Sequence, residues 1–358
     1  MKDSALEQTR ESHRPNDRSH PAAKVVHVPV SDPRWLAFAS RAPLTLFQSP
    51  DWGLLIQETY GFPARVAMIL EDDRVQGGLP YAEVDDFRGF RRVVFPFADV
   101  CEPTSESLWP HLEQVLCSEG IPWQIRSRVR PADSLATMRD ASVHHCLKLP
   151  GTVAEASANC HPKQRANVKQ ALQAGLNSRK CVDADSVAVF YEMHSEVRKI
   201  KYQLLPQPPS FFENLIRRFF PQRGFIMFAE AGDVPVSAML FLIHRNTLYY
   251  KFSASDTNAL SLRPNHFLIW KAIEAAVEQC YESIDFGISD TGGLARFKDR
   301  LGASAVPVYA AHYLQPNKTP AIEGVENTLS TLTDVLTDPR VPLFAAQKAA
   351  GALYRFFV

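Results

Sequence analysis

Hydrophobic periodicity carries this chain twice through one order of elements, and few folds can accept that order. From Lys24 to Pro150 the signals run strand, helix, helix, three strands, helix, strand, helix, strand. From Gly151 to about residue 316 they run the same way again, behind a helical arm. Little residue identity links the halves, so the repeat is one of pattern and not of sequence. Helices alternating with strands, with one antiparallel run of three strands in each copy, predict a mixed α/β fold. We expect two tandem domains, 24–150 and 151–316, each a mixed, largely antiparallel sheet flanked by helices. Residues 1–23 are polar with almost no large apolar side chains and are expected to be a disordered tail. Residues 317–358 are expected to be a polar linker followed by an amphipathic helix over Pro342–Val358, which either docks on the protein or touches a membrane surface.

Turn and cap signals set the expected boundaries. In the first half, Val25–Val30, Arg65–Leu70, Val75–Val84, Arg91–Phe95, Trp123–Arg128 and His144–Leu149 read as strands. Arg34–Ser40, a segment from Ser49-Pro50 to Tyr60, Thr104–Ser118 and Ala132–Met138 read as helices. In the second half, Thr152 and Glu155 have capping-box spacing, as do Ser210 and Glu213. Pro162 restarts a helix that Gly175 ends, and Ser186–Lys201 is a further helix. Ser178–Val182, Phe225–Glu230, Val234–Ile243, Leu248–Phe252, Ser283–Phe286 and Val306–Leu314 are strands. The stretch from Ser261 to Gly302 holds a loop, a long helix from Pro264 with Ile269, Ala272, Ile273, Ala276, Val277 and Cys280 on one face, a strand, and a short helix over Leu294–Leu301.

Composition narrows the function classes. The 358 residues carry 46% hydrophobic and 22% charged side chains and no formal net charge, which gives no support to wrapping DNA. No apolar run approaches the ~18 residues that span a membrane, and the first twenty residues do not read as a signal peptide. The six cysteines form no C-x-x-C pair and no Cys/His metal spacing, which suits reduced thiols in a cytoplasmic protein without a bound metal. Neither a nucleophile elbow nor a Cys/His signature is present, and Asp285-Phe286-Gly287 lacks the other kinase motifs. Nothing beside Cys101 would lower its pKa. One chemical opportunity stands out: the free N–H groups at the start of the helix at Pro264 are a ready place for phosphate.

Several segments resemble FemAB-like proteins, whose halves have the GNAT acetyltransferase fold. These are L-F-Q-S-P-D-W (46–52), G-G-L-P (77–80), F-P-F-A-D-V-C-E-P (95–103), the basic arm H-P-K-Q-R-A-N-V-K-Q-A-L-Q-A-G-L (161–176), Leu262-Arg263-Pro264-Asn265, I-D-F-G (284–287) and R-F-K-D-R-L-G-A (296–303). The resemblance covers roughly residues 44–314. It implies an acyltransferase that moves an acyl group, from acetyl-CoA or a longer acyl-CoA, to an amine on an envelope or exopolysaccharide precursor at the inner membrane face. The acceptor would be a peptide or a lipid- or nucleotide-linked sugar. Two alternatives are a ligase that takes aminoacyl groups from charged tRNA and a non-catalytic partner in a polysaccharide-synthesis complex. Lys180–Phe225 holds two short helices and no added tRNA-binding arm, which favours the first reading. The GNAT pyrophosphate loop, Q/R-x-x-G-x-G/A, is replaced here by R-P-N-H-F, and without its glycines close backbone approach is harder.

Candidate roles follow from the residues themselves, with the resemblance adding weight to Asp285 and Lys298. Arg263, Asn265 and His266 would hold the donor phosphate or the acyl carbonyl. Asp285 would act as a base or orient the amine, and Lys298 would meet a phosphate as a point charge. Asp99, Arg165 and Lys169 would contact the acceptor. Tyr309, like Tyr250, would protonate the leaving group.

Overall fold

A computed structural model describes residues 23–86, 89–131, 134–314 and 319–357, so the expected tail over 1–22 lies outside the described residues. The first half runs β1 (Lys24–Pro29), α1 (Pro33–Ala39), α2 (Pro50–Tyr60), β2 (Ala64–Glu71), β3 (Arg74–Asp86), β4 (Gly89–Val93), α3 (Trp109–Ser118), β5 (Trp123–Ser127) and β6 (Thr137–Lys148). The arm is α4 (Val153–Asn159) and α5 (Pro162–Gln173). Then come β7 (Leu176–Cys181), α6 (Ala184–Glu196), a π-helical turn over Val197–Lys201, α7 (Pro209–Phe219), β8 (Gly224–Ala231), β9 (Val234–His244), β10 (Thr247–Ser255), α8 (Pro264–Glu278), β11 (Ser283–Ser289), α9 (Gly292–Asp299) and β12 (Ser304–Tyr313). Two helices close the chain, α10 (Pro320–Thr337) and α11 (Leu343–Leu353).

All twelve strands form one sheet in the order β1-β2-β3-β4-β5-β12-β6-β11-β10-β9-β8-β7. The order is symmetric about its middle, and the last strand of each half has crossed into the other. β12 lies between β5 and β6, while β6 lies beside β11. The expected mixed, largely antiparallel sheet flanked by helices is present, and strand exchange makes it continuous. Only β4–β5 and β10–β11 are parallel, and both pairings are brief. β10 and β11 pair from Thr247–Ser283 to Tyr249–Asp285 and then separate. That split positions the candidate site.

Packing explains the helices that flank it. α8 buries Leu268, Ile269, Ala272, Ile273, Ala276 and Val277 against one face of the sheet. Each large aliphatic side chain so buried contributes about 1.5–3 kcal/mol. The opposite face carries a second core with Trp35, Trp52, Phe190, Phe211 and Phe212 under α1, α2, α6 and α7. Thr152 and Glu155 form the expected capping box.

Five local expectations are corrected. Of the stretch Ala132–Met138, residues 132 and 133 lie outside the described residues and the rest is not a helix: β6 has begun at Thr137, where pairing of Thr137 with His312 outweighs local propensity. The segment expected to be a linker holds the 18-residue α10, with Thr319 capping Ile322 N and Pro320 in the first turn. Its Thr, Asn and Gly content masked an ordinary start signal. The Ser210/Glu213 box does not form, because α7 starts two residues earlier, at Pro209 with Pro208 in the cap position, and has no side-chain cap. Cys280 is exposed, past the end of α8, in a left-handed conformation (φ 58°). Residues Val197–Lys201 are wound as a π turn and not as α-helix. No helix of the described residues is long and apolar enough to cross a membrane. α11 docks through buried Ala346 and Ala350, followed by Tyr354, leaving Phe344 exposed.

Candidate active site

The split between β10 and β11 has charged residues at its apex. β10 bulges there, between Tyr250 and Phe252, leaving Lys251 out of register with β9. β11 bulges between Asp285 and Gly287. Bulges re-aim side chains and free backbone groups from the ladder. Gly287 takes a left-handed conformation (φ 67°), and a Cβ built on it would lie 2.8 Å from Asp99 Oδ2. The Asp99 carboxylate, from the first half, therefore rests on the Gly287 backbone. It accepts a bond from Lys251 Nζ at 3.0 Å, and that ammonium also lies 4.4 Å from the centre of the Phe47 ring.

Asp285 and Lys298 complete the cluster. Asp285 Oδ1 accepts from His144 Nε2 at 2.9 Å and from Gly287 N at 2.8 Å. Burial pushes the Asp285 carboxyl pKa up, but the bond and charge of His144, the Gly287 N–H and nearby Lys251 outweigh it and hold the pKa low. Asp285 is thus a fixed carboxylate more than a base. Lys298 is 2% exposed and donates to Gly287 O at 3.1 Å and Ile288 O at 2.7 Å. Burial lowers its pKa to about 8, against the opposing pull of Asp99, Asp285 and Asp290. Its ammonium turns inward onto carbonyls, a different placement from the phosphate contact expected of it. Behind the cluster Glu102 and Arg128 form a two-point ion pair beside His144.

Beside this cluster, starting at Tyr250 and Asp290, lies a cleft of about 840 Å³. Tyr250, Ser253 and Ser255 of β10 form one side, and Asp290, Leu294 and Phe297 the other. The start of α8 forms the end wall with Arg263, Asn265 and His266, so the structure brings these three together. α8 has no side-chain cap, and Arg263, in the cap position, is itself left-handed (φ 61°). Asn265 Oδ1 accepts from Ser237 Oγ at 2.8 Å and Ser255 Oγ at 2.6 Å, which fastens the helix start to β9 and β10. His266 Nδ1 donates to Gln164 Oε1 at 2.5 Å, and burial lowers its pKa to about 4. Both side chains are anchors, which leaves the backbone N–H groups at the helix start to face a ligand, with Arg263 beside them, its Nε donating to Gln170 Oε1 at 3.3 Å. The roof is the π turn with Arg198, Lys201 and Tyr202. Lys199 fixes it by donating to Asp338 O at 2.5 Å, and Arg198 donates to Leu205 O and to the Tyr354 hydroxyl.

Three sequence candidates lie elsewhere. Tyr309 pairs with Asp140, six residues along β6 from the Cys146 that faces Asp285, or ~20 Å away at strand rise. Tyr250 lines the cleft instead. Arg165 Nη1 donates to Ser157 O, Ala158 O and Cys160 O, closing the C-terminus of α4. With Lys169 it borders a separate pocket of about 160 Å³ beside Trp270. Sequence reading missed Lys251 and His144, each buried on a strand where charge normally signals only a solvated face. The adjacent histidines His144 and His145 within an apolar strand were the available signal. Cys101 is buried, and its thiol pKa is pushed well above the usual value by that burial.

Comparison with known proteins bears on the fold. Residues 162–299, from the start of α5 to the end of α9, match the family model of the acetyltransferase (GNAT) domain. No curated protein sequence matches the chain. Among solved structures, the crystal structure of FemX aligns with a TM-score of 0.58 at 14% identity, covering 86% of this chain and 100% of that one. A conserved protein of unknown function from Bacteroides thetaiotaomicron VPI-5482 aligns with a TM-score of 0.52 at 10% identity, covering 74% of this chain and 90% of that one. At such identities the likeness to the solved structures is one of fold.

Proposed function

We propose that this chain, a FemAB-like acyltransferase of the GNAT fold, transfers an acyl group from acyl-CoA to an amine on a cell-envelope or polysaccharide precursor. The observation that carries the reading is the cleft at an uncapped helix start, whose lining residues Tyr250 and Asp290 neighbour the buried charge cluster, Tyr250 next to Lys251 in the chain and Asp290 through its charge on Lys298. Donor phosphates meet the α8 N–H groups and Arg263, where the helix dipole favours anions. The thioester runs along the split, with its carbonyl at the apex. Backbone N–H groups freed by the β10 bulge then face the developing oxyanion.

The amine attacks the carbonyl carbon, the C–S bond breaks, and the amide forms. Neutral Lys298 has two N–H donors for its two carbonyl partners, so its lone pair is free to take the amine proton. A pKa of about 8 suits that task near neutral pH. Burial raises the pKa of Tyr250 to about 12, so it stays protonated and can donate a hydrogen bond to the departing thiolate, which takes its proton from solvent. Asp285 and Asp99 hold the cluster's charge and orient the incoming ammonium. Holding the reactants together supplies much of the rate without a covalent enzyme intermediate.

The test is free-thiol release from acyl-CoA in the presence of a panel of amino sugars and peptides, followed from pH 6 to 9. We expect the rate to rise with an apparent pKa near 8. Lys298→Met should remove that limb and lower the rate ~100-fold or more, the scale of lost acid–base catalysis. A pH-independent rate, or full activity in Lys298→Met, would rule out this role.

A further inference from the structure

Exposed apolar side chains line the large cleft. Tyr202 is 53% exposed, Leu204 44%, Leu260 43% and Leu294 40%, and all four line it. They come from three separate elements: the end of the π turn, the turn before α8, and α9. The cleft floor continues the same character through Met239, Val197 and Phe297. An acetyl group would leave most of this surface in water. A converging apolar rim of this kind marks a binding site. Its charge also selects an occupant: three cationic side chains, Arg198, Lys201 and Arg263, border the same cleft against the one carboxylate of Asp290, so the matching ligand is an anion with a hydrocarbon chain.

We propose that the donor is a phosphopantetheine thioester with a medium or long hydrocarbon chain, and that Tyr202, Leu204, Leu260 and Leu294 cover the chain. The inference rests on the acyl-donor reading above and names the acyl class. The shape of the roof follows from local structure. Ile200 in the π turn and Tyr202 just after it are exposed, Gln203 is left-handed at φ 52°, and Tyr202 and Leu204 on either side of it line the cleft. π turns of this kind recur at functional sites. The roof is held from behind by the Lys199–Asp338 and Arg198–Tyr354 contacts, so the rim is a fixed surface.

The experiment is direct binding of CoA, acetyl-CoA, octanoyl-CoA and palmitoyl-CoA to the full chain by calorimetry, each below its micelle concentration, together with octanoyl-4′-phosphopantetheine. Affinity should rise about fourfold for each methylene until the rim is covered. Leu204→Ser combined with Leu260→Ser should flatten that rise; both positions are exposed, so the fold tolerates the change. Octanoyl-phosphopantetheine binding as tightly as octanoyl-CoA would indicate a donor presented on a carrier protein, and weaker binding would indicate CoA itself; the chain class stands in both cases. Equal affinity for acetyl-CoA and palmitoyl-CoA, or a rise unaffected by the double variant, would overturn the inference while leaving the donor reading intact. No binding of CoA or of any thioester would instead remove the donor reading.

Discussion

Replacing Gly287 by alanine tests whether the apex is built as described. Two separate terms follow from the structure. The first is conformational: Gly287 sits at φ 67°, and an L-residue there costs roughly 1–2 kcal/mol. The second is steric and electrostatic. The new Cβ would come within 2.8 Å of Asp99 Oδ2 and 3.2 Å of its Cγ, so the carboxylate must move. Moving it draws the partner away from Lys251, whose side chain is 5% exposed. Complete loss of a buried partner costs about 3–5 kcal/mol. Retained contact with Phe47 and partial re-pairing reduce this term to about 2 kcal/mol. The total for Gly287→Ala is then about 3–4 kcal/mol, read as a lower urea midpoint at unchanged slope.

A double-mutant cycle separates the two terms. In an Asp99→Ala background the clash is gone and only the backbone term remains. Gly287→Ala should there cost roughly 1–2 kcal/mol, leaving a coupling of about 2 kcal/mol between positions 99 and 287. Equal costs in the two backgrounds would refute contact between the Asp99 carboxylate and the Gly287 backbone. A cost below ~1 kcal/mol in both would also refute the left-handed conformation.

Two further predictions concern stability. His194 is 4% exposed among Phe190, Phe212 and Phe252, and burial lowers its pKa to about 4. The unfolded chain therefore binds a proton between pH 6.5 and 4 that the folded chain refuses, so this contribution is complete above pH 6.5 and lost as pH falls towards 4. It amounts to ~3 kcal/mol, and His194→Gln should flatten the acid side of a plot of urea stability against pH by that much; an unchanged plot would contradict it. Tyr354→Ala should lower stability by about 3–5 kcal/mol, because the ring packs on Tyr60 and Phe97. A loss under ~1 kcal/mol would mean that the C-terminal helix is free to leave the protein in solution.

The sequence made the fold legible because periodicity and caps agreed with the final packing over most of the chain. Pro264, with five of the six apolar residues named on the face of α8, is an example: propensity, pattern and burial point the same way there. The failures have physical causes. β6 extends back to Thr137 because β12 arrives from more than 160 residues later to pair with it, and no local window contains that partner. At the site, Asp285, Asp99 and Lys298 were nameable from their segments, and the fold gathers them around Gly287. Lys251 was not, since its meaning depends on a bulge and on a carboxylate from the other half. The missing glycines of the phosphate loop have a structural answer too. Arg263 adopts the left-handed backbone that a glycine would have supplied, at the conformational cost a non-glycine residue bears there.

The strand exchange accounts for the unequal halves. Both halves have a short parallel pairing that could open into a cleft. In the first half the helix start is covered: Leu108 and Trp109 are buried, and Thr104 lies on β3, exchanging bonds with Gly78 N and Gly78 O. In the second half the helix start faces an open cleft with Arg263 exposed. The first half nevertheless contributes to the same centre. Its last strand brings His144 to Asp285, and the loop after β4 brings Asp99 to Gly287 and Lys251. Crossing of β6 into the sheet beside β11 places His144 within reach of Asp285 and fixes the first half against the split between β10 and β11. One copy of the repeated pattern therefore keeps the cleft, and the other has become the wall that charges its apex.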